Sequence, residues 1–134
     1  MDGRGAVLKG GKFEKLAVAD PKTAPYGAAA IETMRGLGVE AALKPKLVQG
    51  TSIAQTFQFV DTGAAELGIV ALSQVVAVKG GSRWVVPAAD HTPIDQQAVL
   101  LKTGANNPAA KAFMAFLKGP EARAIVKKYG YEVN

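Results

Sequence analysis

An α/β fold, a three-layer sandwich with a mostly parallel sheet flanked by helices, is predicted by three features of the sequence. Short apolar runs of strand character alternate with segments spaced for helices. Each strand-and-helix pair takes about thirty residues, the length that a parallel crossover needs. Asp-Pro, Gly and Asp-Thr-Gly punctuate the joins. Composition agrees, because 49% hydrophobic and 20% charged residues give a globular balance, and 134 residues suit one domain or a piece of a larger one.

Lys15 to Ala19 reads as a buried strand, its apolar Leu16-Ala17-Val18-Ala19 ended by Asp20-Pro21. After a loop to Pro25, Gly27 to Leu37 is spaced for a helix, with Ala28, Ile31 and Met34 three apart and Gly38 as its stop. Leu47 to Gly50 is a second strand. Thr51-Ser52 then supplies N-cap chemistry for a helix with Ile53, Phe57 and Val60 on its apolar face, ended by Asp61-Thr62-Gly63. Leu67 to Ala71 is a third apolar run, Leu72 to Val78 a short helix closed by Gly80-Gly81, and Trp84 to Val86 a fourth strand before Pro87.

Beyond a loop from Ala88 to Pro93, Gln96 to Lys102 reads as a further strand. Asn107 caps a helix with Pro108 at its first position and Ala109, Phe113, Phe116 and Leu117 on one face. Gly119-Pro120 interrupts it. A last helix then turns Ala124 and Ile125 inward, carries Lys127 and Lys128 in its final turn and stops at Gly130.

Sixteen Lys and Arg against eleven Asp and Glu leave a formal +5, which favours anionic partners in general. Five basic residues and one acidic lie between Lys111 and Lys128, opposite the apolar face and without aromatics interleaved for base stacking. A solvated helix face accounts for them, and no nucleic-acid partner is expected. The chain has no cysteine, hence no disulfide and no thiolate metal site, and this fits an oxidising or a reducing compartment equally. Met1-Asp2-Gly3-Arg4-Gly5 opens with no apolar stretch of signal-peptide length, and no segment approaches the roughly 20 apolar residues of a membrane span.

Enzymatic signals are weak. His91 is the lone histidine, beside Asp90 in a loop, where neighbours rarely point at one another, and no nucleophile elbow accompanies them. Metal-ligand spacing is absent, as are GxGxxG and the phosphate loop GxxxxGK[ST]. The informative segments are the two strand-to-helix junctions, Asp20 to Gly27 and Gln49 to Ala54. In a parallel sheet, ligands gather outside the carboxyl ends of strands, where helix N-termini offer N–H groups and partial positive charge. Two such termini on one edge make an uncharged socket for a small tetrahedral anion; simple capping is the competing explanation at each.

These junctions resemble the molybdate-binding proteins of bacterial ABC transporters, which have a two-lobed periplasmic binding-protein fold. Leu16 to Gly27, with Asp20-Pro21 and Ala24-Pro25-Tyr26-Gly27, is similar to that family's strand and Asn/Asp-Pro…Ala-Pro-Tyr-Gly loop. Glu66 to Gln74 is similar to its Leu-Gly-Ile/Phe-Val strand, and Phe116 to Pro120 with Tyr129-Gly130-Tyr131 to its closing helix and tail. The similarity runs from about Val7 to the end. It implies that 1–92 is the second lobe and 93–134 the returning strand and C-terminal helices of the first, whose N-terminal part has no counterpart here.

The resemblance further implies capture of molybdate or tungstate through hydrogen bonds, without chemistry, for delivery to a membrane permease from the periplasm. By motif the anion's backbone donors fall on Tyr26 and Ile53, with Gly27 and Ser52 beside them. No catalytic residue, cofactor or metal ion is implied, molybdate being held as an anion, and only half of the anion shell is present. One branch of the family has a tyrosine after the Leu-Gly-Ile-Val strand, where this chain has Ala71. First-lobe helices without most of their sheet would expose Phe113, Phe116 and Leu117 and favour self-association. The alternatives are the effector domain of a transcriptional regulator, a binding protein for sulfate, phosphate or a small organic acid, and a small hydrolase using His91 and Asp90.

Overall fold

The first strand, β1 (Leu16–Ala19), lies at the centre of the sheet with all four residues buried, because it has a neighbour on each side and a helix over each face. The computed structural model describes residues 5–133. A short helix, α1 (Ala6–Gly10), precedes β1 and tucks Leu8 into the core. It was not expected from the sequence, since five residues carry too little periodicity. The polar Met1 to Arg4 start lies outside the described residues.

From β1 the chain passes to α2 (Pro25–Gly36), then α3 (Glu40–Leu43) and a 3₁₀ turn (Lys44–Lys46), and returns as β2 (Leu47–Gly50). Helix α4 (Ile53–Asp61) leads to β3 (Leu67–Gly68), and α5 (Leu72–Val75) follows. The strand order is β2-β1-β3, all parallel, with Ala19 opposite Gly50 and Ala17 opposite Gly68. The first crossover runs outward from β1 and the second runs back past it, so right-handed connections place α2 and α4 on opposite faces of the sheet. This is the three-layer arrangement expected. Leu16, Val18, Ala30, Met34 and Leu43 form the core, with Trp84 partly buried against it.

Several expected elements differ. The third strand shrinks to Leu67–Gly68, because the Ile69 N–H to Ala17 carbonyl bond is the last rung of its ladder. The helix expected to reach Val78 stops at Val75. Trp84 to Val86 has no regular secondary structure, and neither has Gln96 to Leu101, after which Lys102 opens a 3₁₀ turn (Lys102–Gly104). Apolar sequence alone does not make a strand; a ladder partner is required, and none reaches these segments among the described residues. Val99 and Leu101 are accordingly 77% and 66% exposed. In α4 the deepest residue is Thr56, fully buried, while Ile53, Phe57 and Val60 are only partly covered.

The chain divides into two compact units, one ending at Ile94 and the other beginning at Asp95. Near the end of the first unit, Glu32 on α2 accepts the Thr92 N–H at 2.6 Å, which pins the departing segment. The second unit packs α6 (Pro108–Leu117) against α7 (Pro120–Lys128). Asn107 caps α6 through the Ala109 and Ala110 N–H groups, and Gly130 takes a left-handed φ of 84° just past α7, both as expected. The buried residue of α7 is Ala122; Ala124 and Ile125 are exposed, contrary to expectation, because the two-helix unit offers α7 only one covering neighbour. Phe113 and Phe116 stack at 6.3 Å between centroids and are both exposed, while Leu117 is partly covered.

Candidate functional site

Because β1 and β2 are parallel neighbours, their carboxyl ends lie on one edge of the sheet, and the starts of α2 and α4 are delivered there together. Adjacent strands are about 4.8 Å apart. At this edge the Asp20 N–H donates to the Gly50 carbonyl at 2.8 Å, tying one junction to the other. Tyr26 and Gly27 therefore stand in the first turn of α2, and Ser52 and Ile53 at the first turn of α4.

The α2 junction is built on tight packing. Pro25 occupies the first helical position, where a missing N–H costs nothing, and the cap residue Ala24 has no side-chain acceptor to occupy the turn. Asp20 closes the preceding loop: its side chain accepts the Lys22 N–H, and its carbonyl accepts those of Thr23 and Ala24. Gly27 is buried against the end of β1. A Cβ there would lie 2.2 Å from the Ala19 carbonyl oxygen and 2.7 Å from its carbon, so only glycine lets the helix start this close to the strand. Its N–H donates to the Ala24 carbonyl, so its part at the edge is close approach.

The α4 junction is built on hydrogen bonds. Ser52 is the N-cap, its Oγ accepting the Gln55 N–H at 3.2 Å. Its carbonyl accepts both the N–H and the Oγ1 of buried Thr56, at 3.0 and 2.9 Å. A peptide unit is planar, so anchoring the Ser52 carbonyl sets the direction of the Ile53 N–H at its other end. Gln55 Oε1 takes the Thr51 N–H at 2.7 Å. Gln74, from the first turn of α5, reaches across to donate Nε2 to the Ile53 carbonyl at 3.1 Å, while its Oε1 accepts the Ala71 N–H. A Cβ at Gly50 would meet Thr56 Oγ1 at 2.8 Å, so the strand end, too, requires glycine.

Gln55, Thr56 and Gln74 were not singled out from the sequence. Ser52-Ile53-Ala54-Gln55 does carry the Ser-x-x-Gln spacing of a capping box, a signal for Gln55. Gln74 holds the start of its own helix through the Ala71 N–H, but nothing local announces its second partner, Ile53, 21 residues away. Ala71 is buried, with its N–H taken by Gln74, so this position turns inward. His91 Nδ1 contacts the Thr92 carbonyl at 2.9 Å, and among the described residues no hydrogen bond or ion pair joins its ring to Asp90. Among the described residues, no three His, Cys, Asp or Glu side chains are grouped to hold a metal ion, and no helix is long and apolar enough to cross a membrane.

Parallel strands that deliver two helix N-termini to one edge are the arrangement in which open α/β sheets place their ligands, and similarity to known proteins says which class of α/β protein this is. The chain belongs to the bacterial extracellular solute-binding protein family, whose model matches residues 4–132. It is 58% identical over 131 residues to the molybdate-binding protein ModA of Rhodobacter capsulatus, covering 98% of this chain and 52% of that one. To the ModA of Azotobacter vinelandii it is 54% identical over 134 residues, covering 98% and 53%. The solved periplasmic molybdate-binding protein of Azotobacter vinelandii superposes with a TM-score of 0.92 at 38% identity, over 99% of this chain and 60% of that one. The chain thus spans about half the length of the curated relatives that it matches.

Proposed function

We propose that this chain supplies one half of a binding site for a tetrahedral oxyanion, molybdate or tungstate, in a protein that feeds an ABC-transporter permease from the periplasm. The observation that carries it is the meeting of two helix starts, at Pro25 and Ile53, on adjacent parallel strand ends. Both are set close to the sheet by glycines that admit no Cβ. The similarity to molybdate-binding proteins over nearly the whole chain supports the ligand.

In this reading the backbone N–H groups of Tyr26 and Ile53 face the anion, with Gly27 and Ser52 forming the wall beside them. Residues 1–92 form the second lobe and 93–134 return to the first. Uncharged donors suit a desolvated dianion, because selectivity then rests on cavity size and donor direction. Capture and release need no bond making, so the protein acts as a carrier and not as an enzyme. Exposed Phe113 and Phe116 make self-association of the isolated chain the expected behaviour.

Calorimetric titration with molybdate, tungstate and sulfate tests this, run on the chain alone and on a version completed to the full length of its Azotobacter relative. Tight binding of molybdate by the completed version only is expected. Tight binding by the chain alone would overturn the half-site proposal. Preference for sulfate would change the ligand, and absence of binding by either version would sink the function.

A further inference from the structure

We infer that Gln74 is a positioning residue for the anion site, holding the first turn of α4 in the direction that binding needs; this rests on the function proposed above. Its amide bridges two elements that no backbone ladder joins. Oε1 accepts the Ala71 N–H at 3.1 Å, and Nε2 donates to the Ile53 carbonyl at 3.1 Å. The Ile53 carbonyl belongs to the residue whose N–H is proposed to face the anion, so a bond to it restrains that residue from its other side. The neighbouring peptide, Ser52 to Ile53, is already held by Thr56 through two bonds from within α4. Gln74 adds what Thr56 does not: a tie from the first turn of α4 to the start of α5, beyond β3.

The side chain is partly exposed and uncharged, and both ends of its amide are engaged by backbone groups. Its value is therefore preorganisation: donors already aimed lose no freedom when the anion arrives. Glutamine fits this role where glutamate does not, because the Ile53 carbonyl demands a donor and a carboxylate would set a negative charge beside the anion.

Two variants test it. Gln74→Met keeps length and removes both bonds; Gln74→Glu keeps the acceptor for Ala71 and removes the donor to Ile53. In the chain alone, hydrogen exchange of the Ala71 amide should quicken about tenfold in Q74M and stay slow in Q74E. In the version completed to full length, both variants should bind molybdate about tenfold more weakly, with a reduced preference for molybdate over sulfate. Ligand-free unfolding, followed by Trp84 fluorescence, should change little. Unchanged Ala71 exchange in Q74M, or wild-type affinity and selectivity in that variant, would overturn the inference. So would a loss of affinity matched by an equal loss of ligand-free stability with selectivity intact, the mark of a merely structural residue. Absence of molybdate binding by the unsubstituted completed protein would overturn the proposed function instead, and is told apart because it precedes any substitution.

Discussion

Adding one methyl group to α2 should have opposite effects at its two ends. At Gly27 the new Cβ would stand 2.2 Å from the Ala19 carbonyl oxygen and 2.8 Å from the Asp20 carbonyl carbon, both backbone atoms that no side-chain rotation can move. Restoring an ordinary carbon–oxygen contact of ~3.3 Å means shifting the helix start by about 1 Å. Overpacking of this kind costs about 1–3 kcal/mol, and a clash with backbone belongs at the upper end. Alanine's helix preference over glycine returns up to ~1 kcal/mol, leaving Gly27→Ala about 1–2 kcal/mol less stable. At Gly36, in the last turn of the same helix, a Cβ meets nothing within 4 Å, so Gly36→Ala should be stabilising by about 0.5 kcal/mol. The protein's single tryptophan, Trp84, packs on the core of this unit, so its fluorescence in urea reports the comparison directly. With a slope near 1.5 kcal/mol/M, the two midpoints should differ by roughly 1 M or more. Equal midpoints would refute the close approach of α2 to the end of β1 at Gly27.

Ser52→Ala removes the cap of α4 and should cost ~1 kcal/mol by the same fluorescence assay, whereas Ser52→Asp keeps a capping oxygen and should stay near wild type. In the completed protein, S52D should nevertheless lose molybdate affinity by calorimetry, since it adds a negative charge at the proposed anion wall. Undiminished binding would remove Ser52 from the site. The Glu66 carboxylate accepts the Glu14 and Lys15 N–H groups at 3.1 and 2.9 Å, and these bonds, the Glu14 one foremost, hold it below the usual carboxylate range. A folded-state value below the unfolded one contributes stability above the unfolded value, and that contribution fades as pH falls through the folded one. The midpoint advantage of wild type over Glu66→Gln should thus be present at pH 7 and diminish below about pH 4.5; a gap that does not change with pH would refute it.

Much of the fold's outline, including the helix start at Ser52, was legible because its signals are local. Ser52 before an amphipathic run, Asn107-Pro108, and Gly38, Gly63 and Gly130 at helix ends each act through their own backbone or a neighbouring turn, and each stands where the pattern put it. The four apolar residues of β1 also read correctly, since a strand covered on both faces is apolar throughout. Trp84 to Val86 and Gln96 to Lys102 carry the same kind of apolar run yet form no strand. Their composition says nothing about whether a second chain segment lies within hydrogen-bonding reach.

By itself, the sequence determined the caps and stops of its longer helices, the buried first strand, the α/β class and, through its motifs, the family. Only the tertiary structure decided the strand order, which of the apolar runs are paired, and why Gly27 and Gly50 admit no side chain. The bond from Gln74 to Ile53 belongs with these. The physical reason is range. Caps and turns are settled by atoms a few bonds apart, whereas a ladder, a close approach or a cross-segment amide depends on what the rest of the chain brings alongside.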